Sequence, residues 1–282
     1  MNRSNPLAIV TGASRGLGRL IAIELAAANV DVLAVARDPS GLEETAAGAQ
    51  APGNGAVFPM ICDLEGADAA SQIAAAAQAQ GGASILINNA AIQGPIGPSW
   101  QSDAAQFERA MRVDFLVPVA LTHAVLPDMI ARREGWIVNV SGGGATAPRP
   151  MFSAYGAAKT ALVRYGETLA AEVAADGVRV NSVAPGAFAS GMTQAILADG
   201  DRAGASERAN AERSLSVNDD ANAVKAARLI RYLVAGPGRD VSGKLISAIW
   251  DPWNEMHLHW DALRASDVYT LRRIVPADRK PA

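Results

Sequence analysis

Leu7-Ala8-Ile9-Val10-Thr11-Gly12-Ala13-Ser14-Arg15-Gly16-Leu17-Gly18 decides the fold. A short apolar run reads as a buried strand. Glycines follow it at once, and an Ala/Leu-rich helical stretch runs on to Ala28. The glycines are spaced GxxxGxG. A phosphate pair needs backbone N–H groups at a helix N-terminus with no side chains in the way. Gly12 can make the tight turn, Gly16 can admit a pyrophosphate, and Gly18 can let helix and strand approach. Three glycines alone fit an ordinary turn equally well. The strand–turn–helix setting favours a dinucleotide site.

The same alternation continues outward. Val30 to Ala36 is a second strand, followed by a helical stretch near Leu42 to Ala47. Ala56 to Ile61 reads as a third strand, although Pro59 sits badly in one. Ala67 to Gln80 is helical by propensity and ends at Gly81-Gly82. Ser84 to Asn88, Trp136 to Val140, Val178 to Ala184 and Leu245 to Ile249 are further strands, with a long helix from about Ser153 to Ala175. Strands alternating with helices predict an α/β fold: a Rossmann-like, doubly wound, mostly parallel seven-stranded sheet with helices on both faces.

Composition agrees. The chain has 282 residues, 50% hydrophobic and 19% charged, with net charge −3. That excludes a wholly disordered chain and leaves no basic footprint for nucleic acid. Cys62 is the single cysteine, so no intrachain disulfide or multi-Cys zinc site forms. No apolar run approaches a spanning helix and Met1 to Pro6 shows no leader, so a cytoplasmic setting without a membrane is expected. Residues 1–250 are expected to form one dinucleotide-binding and catalytic domain. Residues 251–282 form an aromatic extension packed on the same domain or on a partner subunit.

The second strand ends Val35-Ala36-Arg37, with no carboxylate at its tip to take a ribose 2′-hydroxyl. Asp38 lies just beyond. Arg15 and Arg37 can fork onto a 2′-phosphate, which predicts NADP(H) over NAD(H), with NAD(H) possible. Tyr155 and Lys159 stand at i and i+4, so they share a helix face. A free phenol, with a pKa of about 10, is a poor acid–base catalyst at neutral pH. A neighbouring ammonium lowers that value toward the useful range.

These residues together resemble the short-chain dehydrogenase/reductase family. The resemblance covers roughly Leu7 to Ile249. It rests on TGxxxGxG at Thr11 to Gly18, Asn88-Asn89-Ala90, Ser141, YxxxK at Tyr155 and Lys159, and Asn181 with Pro185-Gly186. It implies an oxidoreductase acting on a carbonyl or alcohol. Tyr155 is then the general acid/base, Lys159 holds the nicotinamide ribose, and Ser141 donates to the substrate oxygen. Thr11, Gly12, Ser14, Arg15, Gly16, Leu17 and Gly18 would hold the cofactor, with Arg37, the adenine-contacting pair Asp63-Leu64, Asn89, Ala90, Pro185, Gly186 and Ser190. The family also implies a homodimer or homotetramer, and the apolar helices near Phe107 to Ala131 and Ser153 to Ala175 suit such pairing.

The chain departs from the family at several points. Ala91 replaces a usual Gly. Asp114 stands where the family has an Asn that supports a proton relay, and is either a relay residue or a structural carboxylate. Counting back strictly from Tyr155 lands on Gly142 rather than Ser141; the flexible Ser141-Gly142-Gly143-Gly144 run still lets Ser141 reach the oxygen. The strand-seven end runs into Trp250, Trp253 and Trp260 with His257 and His259. That cluster either caps the substrate pocket or packs, and no metal site is expected from two such histidines. Gly142 to Phe152, Ala187 to Ser216 and the tail are expected to line the substrate pocket. The second of these reads as a mobile segment, and Arg149 in the first is able to meet an acidic group. The alternatives to this enzyme are a cofactor-binding scaffold with little turnover and an NAD-linked alcohol dehydrogenase.

Overall fold

A computed structural model describes residues 5–216 and 220–279. Met1 to Ser4, at the start of the expected leaderless segment, and the last three residues of the 251–282 extension lie outside the described residues.

Seven strands form one sheet: β1 (Leu7–Thr11), β2 (Asp31–Ala36), β3 (Val57–Ile61), β4 (Ile85–Asn88), β5 (Gly135–Val140), β6 (Val178–Ala184) and β7 (Leu245–Ser247). Their order is β3-β2-β1-β4-β5-β6-β7 and every pairing is parallel. Pro59 fits because β3 is an edge strand, where a missing N–H on the outer side breaks no ladder.

Period-two alternation divides the core. Ala8 and Val10 face one side and Leu7 and Ile9 the other. The first side packs on α1 (Gly16–Ala26), Leu42 of α2 (Pro39–Gly48) and α9, the helix Ala221–Ala235. The second packs on α3 (Ala69–Gln78), α5 (Val117–Arg132) and α6 (Ser153–Glu172). Each fully buried Ile or Leu contributes about 2 kcal/mol. Strand order reverses between β1 and β4, so a crevice opens beyond their carboxyl ends.

Two features differ from the sequence expectations. α4 (Ala104–Met111) runs through a π turn, Arg112–Leu116, into α5. The resulting 29-residue run, Ala104–Arg132, has mean hydropathy 1.5 in its most apolar window, so one helix is long and apolar enough to cross a membrane. It packs against α3 and α6, and 44% of that window is buried. Pro118 accounts for the π turn. It has no N–H to give the Asp114 carbonyl, and the ladder shifts so that Val117 N–H reaches the Arg112 carbonyl. The Gly/Ala/Ser-rich stretch, expected as a mobile segment, carries two helices, α7 (Gly191–Ala198) and α8 (Ala205–Ser216).

The tail wraps the same fold. Trp253 and Trp260 pack against the first core side beside buried Met256. Tyr232 of α9 stacks on Trp253 and hydrogen-bonds His257 Nδ1 at 3.0 Å. The Tyr269 carbonyl accepts the Leu245 N–H at 2.7 Å, which covers the open edge of β7, and buried Lys244 donates to the Ser266 and Val268 carbonyls. Of the three tail tryptophans, Trp250 stays 84% exposed.

Candidate functional site

At the crevice, β1 and β4 are clipped together. Thr11 Oγ1 accepts the N–H groups of Asn89 (3.0 Å) and Ala90 (3.1 Å), and Asn89 Nδ2 donates to the Thr11 carbonyl at 2.8 Å. A Cβ built at Gly18 would collide with the Gly12 carbonyl, so this glycine lets α1 start directly against the turn. A Cβ at Gly16 would meet nothing within 4 Å. A side chain at Gly16 would thus point into open space beside the start of α1, where helix N–H groups suit a pyrophosphate. Leu17 packs into the core behind it, and buried Ser14 lends its carbonyl to Arg19.

The two arginines expected to share one phosphate sit against different partners. Arg15 reaches across to α7, where Nη2 lies 3.7 Å from a Cβ built at Gly191. Arg37 faces Glu65 at 4.0 Å, and Arg109 of α4 grips the same carboxylate in a fork of 2.8 and 2.7 Å. That fork, chiefly through its hydrogen bond, holds Glu65 below the usual carboxylate range. Asp63 turns its Oδ1 to the Glu65 N–H, and Leu64 is buried in the second core side. Glu65 and Arg109 escaped the sequence reading because the pairing spans 44 positions.

On the far side of the crevice, Gly186 meets Ile249 at the end of β7, and Ser190 caps α7, accepting the Thr193 N–H at 3.2 Å. Asn181 ties β6 to the β7 approach through the Val241 carbonyl and the Lys244 N–H.

Tyr155 and Lys159 lie buried on the inner face of α6, with Nζ 5.7 Å from the centre of the phenol ring. Lys159 donates to the Val140 carbonyl at 3.1 Å. The π turn delivers Asp114 beside it. Oδ1 accepts the Ile92 N–H at 2.8 Å, and Oδ2 lies 3.9 Å from Nζ with no hydrogen bond of its own. Burial pushes Asp114 up and Lys159 down, each toward its neutral form, while each charge holds the other partway back. Burial, and then the Asp114 charge, push the Tyr155 phenol above its ordinary value, with Arg149 opposing.

Ser141 does not join them. Its Oγ is buried and hydrogen-bonds to nothing, the Tyr155 hydroxyl included. The position that faces the phenol is Gly142, as the strict count back from Tyr155 gives, and a Cβ built there would collide with the Tyr155 hydroxyl. Gly142→Ala is accordingly expected to displace Tyr155 and to cost about 2 kcal/mol of stability, the overpacking range. Thermal unfolding checks it; an unchanged midpoint would contradict the close approach.

The chain matches the short chain dehydrogenase family model over residues 6–201. The chain belongs to that family. This short chain dehydrogenase is thereby an NAD(P)-dependent oxidoreductase that acts on small molecules. It is 28% identical over 244 residues to human "Dehydrogenase/reductase SDR family member 4", covering 86% of each chain. It is 38% identical over 186 residues to a "Fatty acyl-CoA reductase" of Acinetobacter baylyi, covering 64% of this chain and 62% of that one. Among solved structures, a metagenomic short-chain oxidoreductase in complex with NADP shares 26% identity at a TM-score of 0.69, covering 86% of this chain and 96% of the other. Levodione reductase, at 24% identity and a TM-score of 0.77 over 87% and 96%, shares the fold.

Proposed function

We propose that this short chain dehydrogenase is an NADP(H)-preferring carbonyl reductase, working reversibly on the matching alcohol, with Tyr155 as the proton donor and acceptor. The observation that carries this reading is the buried Tyr155–Lys159 pair held on the Val140 carbonyl at the carboxyl end of β5, in the parallel sheet whose β1 ends in the glycine turn that opens α1. Thr11 to Gly18, Asn89, Ala90 and the Pro185–Ser190 segment would hold the dinucleotide, and Asp63 and Leu64 would border its adenine. When bound, it supplies or accepts the hydride.

The rest falls to the chain. Burial keeps the Tyr155 phenol protonated in the free protein, which suits proton donation to a carbonyl oxygen. Lys159, fixed on the Val140 carbonyl at the end of β5, would turn its remaining N–H groups to the nicotinamide ribose. With Gly142 against the phenol and no hydrogen bond between Ser141 and Tyr155, Tyr155 alone polarises the substrate oxygen in this reading. Exposed Leu116, and Phe115 set edge-to-face with Tyr165, give the α5–α6 face an apolar surface that suits self-association as a homodimer or homotetramer.

The NADP(H) preference rests on Arg37, which stands at the tip of β2 where an NAD-binding chain would carry a carboxylate, and on the NADP complex of a relative. Arg37→Ala is expected to weaken NADPH at least about tenfold relative to NADH, the loss of one charge-assisted contact. Fluorescence titration with both cofactors checks it; an unchanged ratio would move the preference to Arg15 or abolish it. The enzymatic reading itself is tested by following NADPH absorbance against ketones, aldehydes and quinones. Tight binding without turnover on any of them would favour a scaffold.

A further inference from the structure

A carboxylate lies against the amine beneath the phenol. Asp114 and Lys159 are buried together 3.9 Å apart, so the carboxylate offsets the charge of the amine. Where the family has an Asn, a lone ammonium would act on the phenol. Here the Asp114 carboxylate stands beside the amine and opposes ionisation of the phenol.

A second cation lies across the ring. Arg149 projects from the loop between β5 and α6, its stem over Gly143 and Gly144. Its guanidinium carbon is 4.0 Å from the centre of the Phe152 ring and 5.8 Å from that of Tyr155. Glu207 on α8 accepts a hydrogen bond from Arg149 Nη2 at 2.6 Å. Both side chains are sheltered, at 17% and 24% exposure, so the pair is weakly screened. Arginine suits such a post, since it is charged at every working pH and stacks on aromatic faces.

We propose that Arg149 is a positioning residue for the Tyr155 proton: its guanidinium, steered by Glu207 of α8, supplies the positive charge that Asp114 takes away from Lys159. The charged groups facing Tyr155 are then Lys159 from its own helix, Asp114 from the π turn, and Arg149 from the loop, with Glu207 behind it. Gly142 contributes none. Among these, burial and Asp114 oppose ionisation of the phenol and Arg149 favours it. The consequence is a line from the α8 segment to the reacting proton: Glu207 both orients the guanidinium and offsets part of its charge.

The proposal rests on Tyr155 being the proton donor, and its test separates the two ideas. The chain is produced with carbon-13 at Cζ of its four tyrosines and titrated by NMR with NADP+ bound. Tyr155→Phe assigns the signal. Arg149→Met is expected to move the Tyr155 midpoint up by about one pH unit, and Arg149→Lys to leave it near wild type. Glu207→Gln keeps an acceptor for Nη2 but removes the counter-charge, and is expected to move the midpoint down. The pH limb of kcat for any carbonyl that the chain reduces should follow with the same signs. Equal midpoints in all the proteins, or losses of activity in both variants with no movement of the limb, would overturn the proposal and leave the ion pair a latch on α8. If Tyr155→Phe keeps wild-type turnover, the functional reading falls, while the midpoints still decide the charge question.

Discussion

Tyr155→Phe is expected to lower kcat roughly 10³-fold while NADPH binding stays within about twofold of wild type; general acid–base groups contribute 10² to 10⁴. The substitution removes one oxygen and leaves a ring of the same shape buried against the same neighbours. Its effect should be large because nothing backs the phenol up. Gly142 carries no hydroxyl, and the Ser141 Oγ is buried out of hydrogen-bonding reach of Tyr155. A substrate oxygen in the variant would face no hydroxyl donor from Ser141 or Gly142. Steady-state rates and cofactor fluorescence on one preparation check both halves. A loss of binding to match the loss of rate would place Tyr155 in cofactor binding rather than proton transfer.

Lys159→Met is expected to cost about 3 kcal/mol of stability as well as turnover, because it strands a buried carboxylate; breaking buried pairs costs 3–5 kcal/mol. The pH dependence has a definite sign. Burial raises the Asp114 pKa above its unfolded value of 3.8, and in the variant the lysine charge that holds it partway down is gone. A raised folded pKa gives stability that is complete below the unfolded value and lost as pH rises through the folded one. The deficit against wild type should therefore grow from acid toward neutral pH. Adding Asp114→Asn keeps an acceptor for the Ile92 N–H, now without a charge. The double variant should recover most of the stability and none of the turnover. Denaturant unfolding at several pH values measures this; a deficit independent of pH would show that removing the lysine leaves the titration of Asp114 in the folded chain where it was.

The sheet was legible in the sequence because a parallel strand buried on both faces is a continuous apolar run, and seven such runs stand between helices. The first turn was legible because its glycines do steric work that no other residue can do. Asp114 was visible as a departure from the family. Its burial was not, because that depends on a π turn whose one local signal is Pro118, four positions on. Ser141 was favoured over Gly142 on chemistry, since a hydroxyl can donate and a hydrogen cannot. The loop brings Gly142 against the phenol, a register that depends on packing against α6 and that the sequence does not mark. Arg149 with Glu207, and Arg109 with Glu65, are separated by 58 and 44 positions. Charge pairs that distant leave no periodicity to read. The tail was read as aromatic packing, but the strap over β7 is made by backbone atoms of Tyr269, Ser266 and Val268, which the sequence does not mark.

A crystal structure of the chain with NADP+ bound tests most directly the claim that one crevice unites the first glycine turn with Tyr155. The expected result is a pyrophosphate on the N–H groups opening α1, a 2′-phosphate beside Arg37, and a nicotinamide ring next to the Tyr155 hydroxyl. A dinucleotide bound away from Thr11 to Gly18, or one bound there with the phenol turned from its ring, would contradict it.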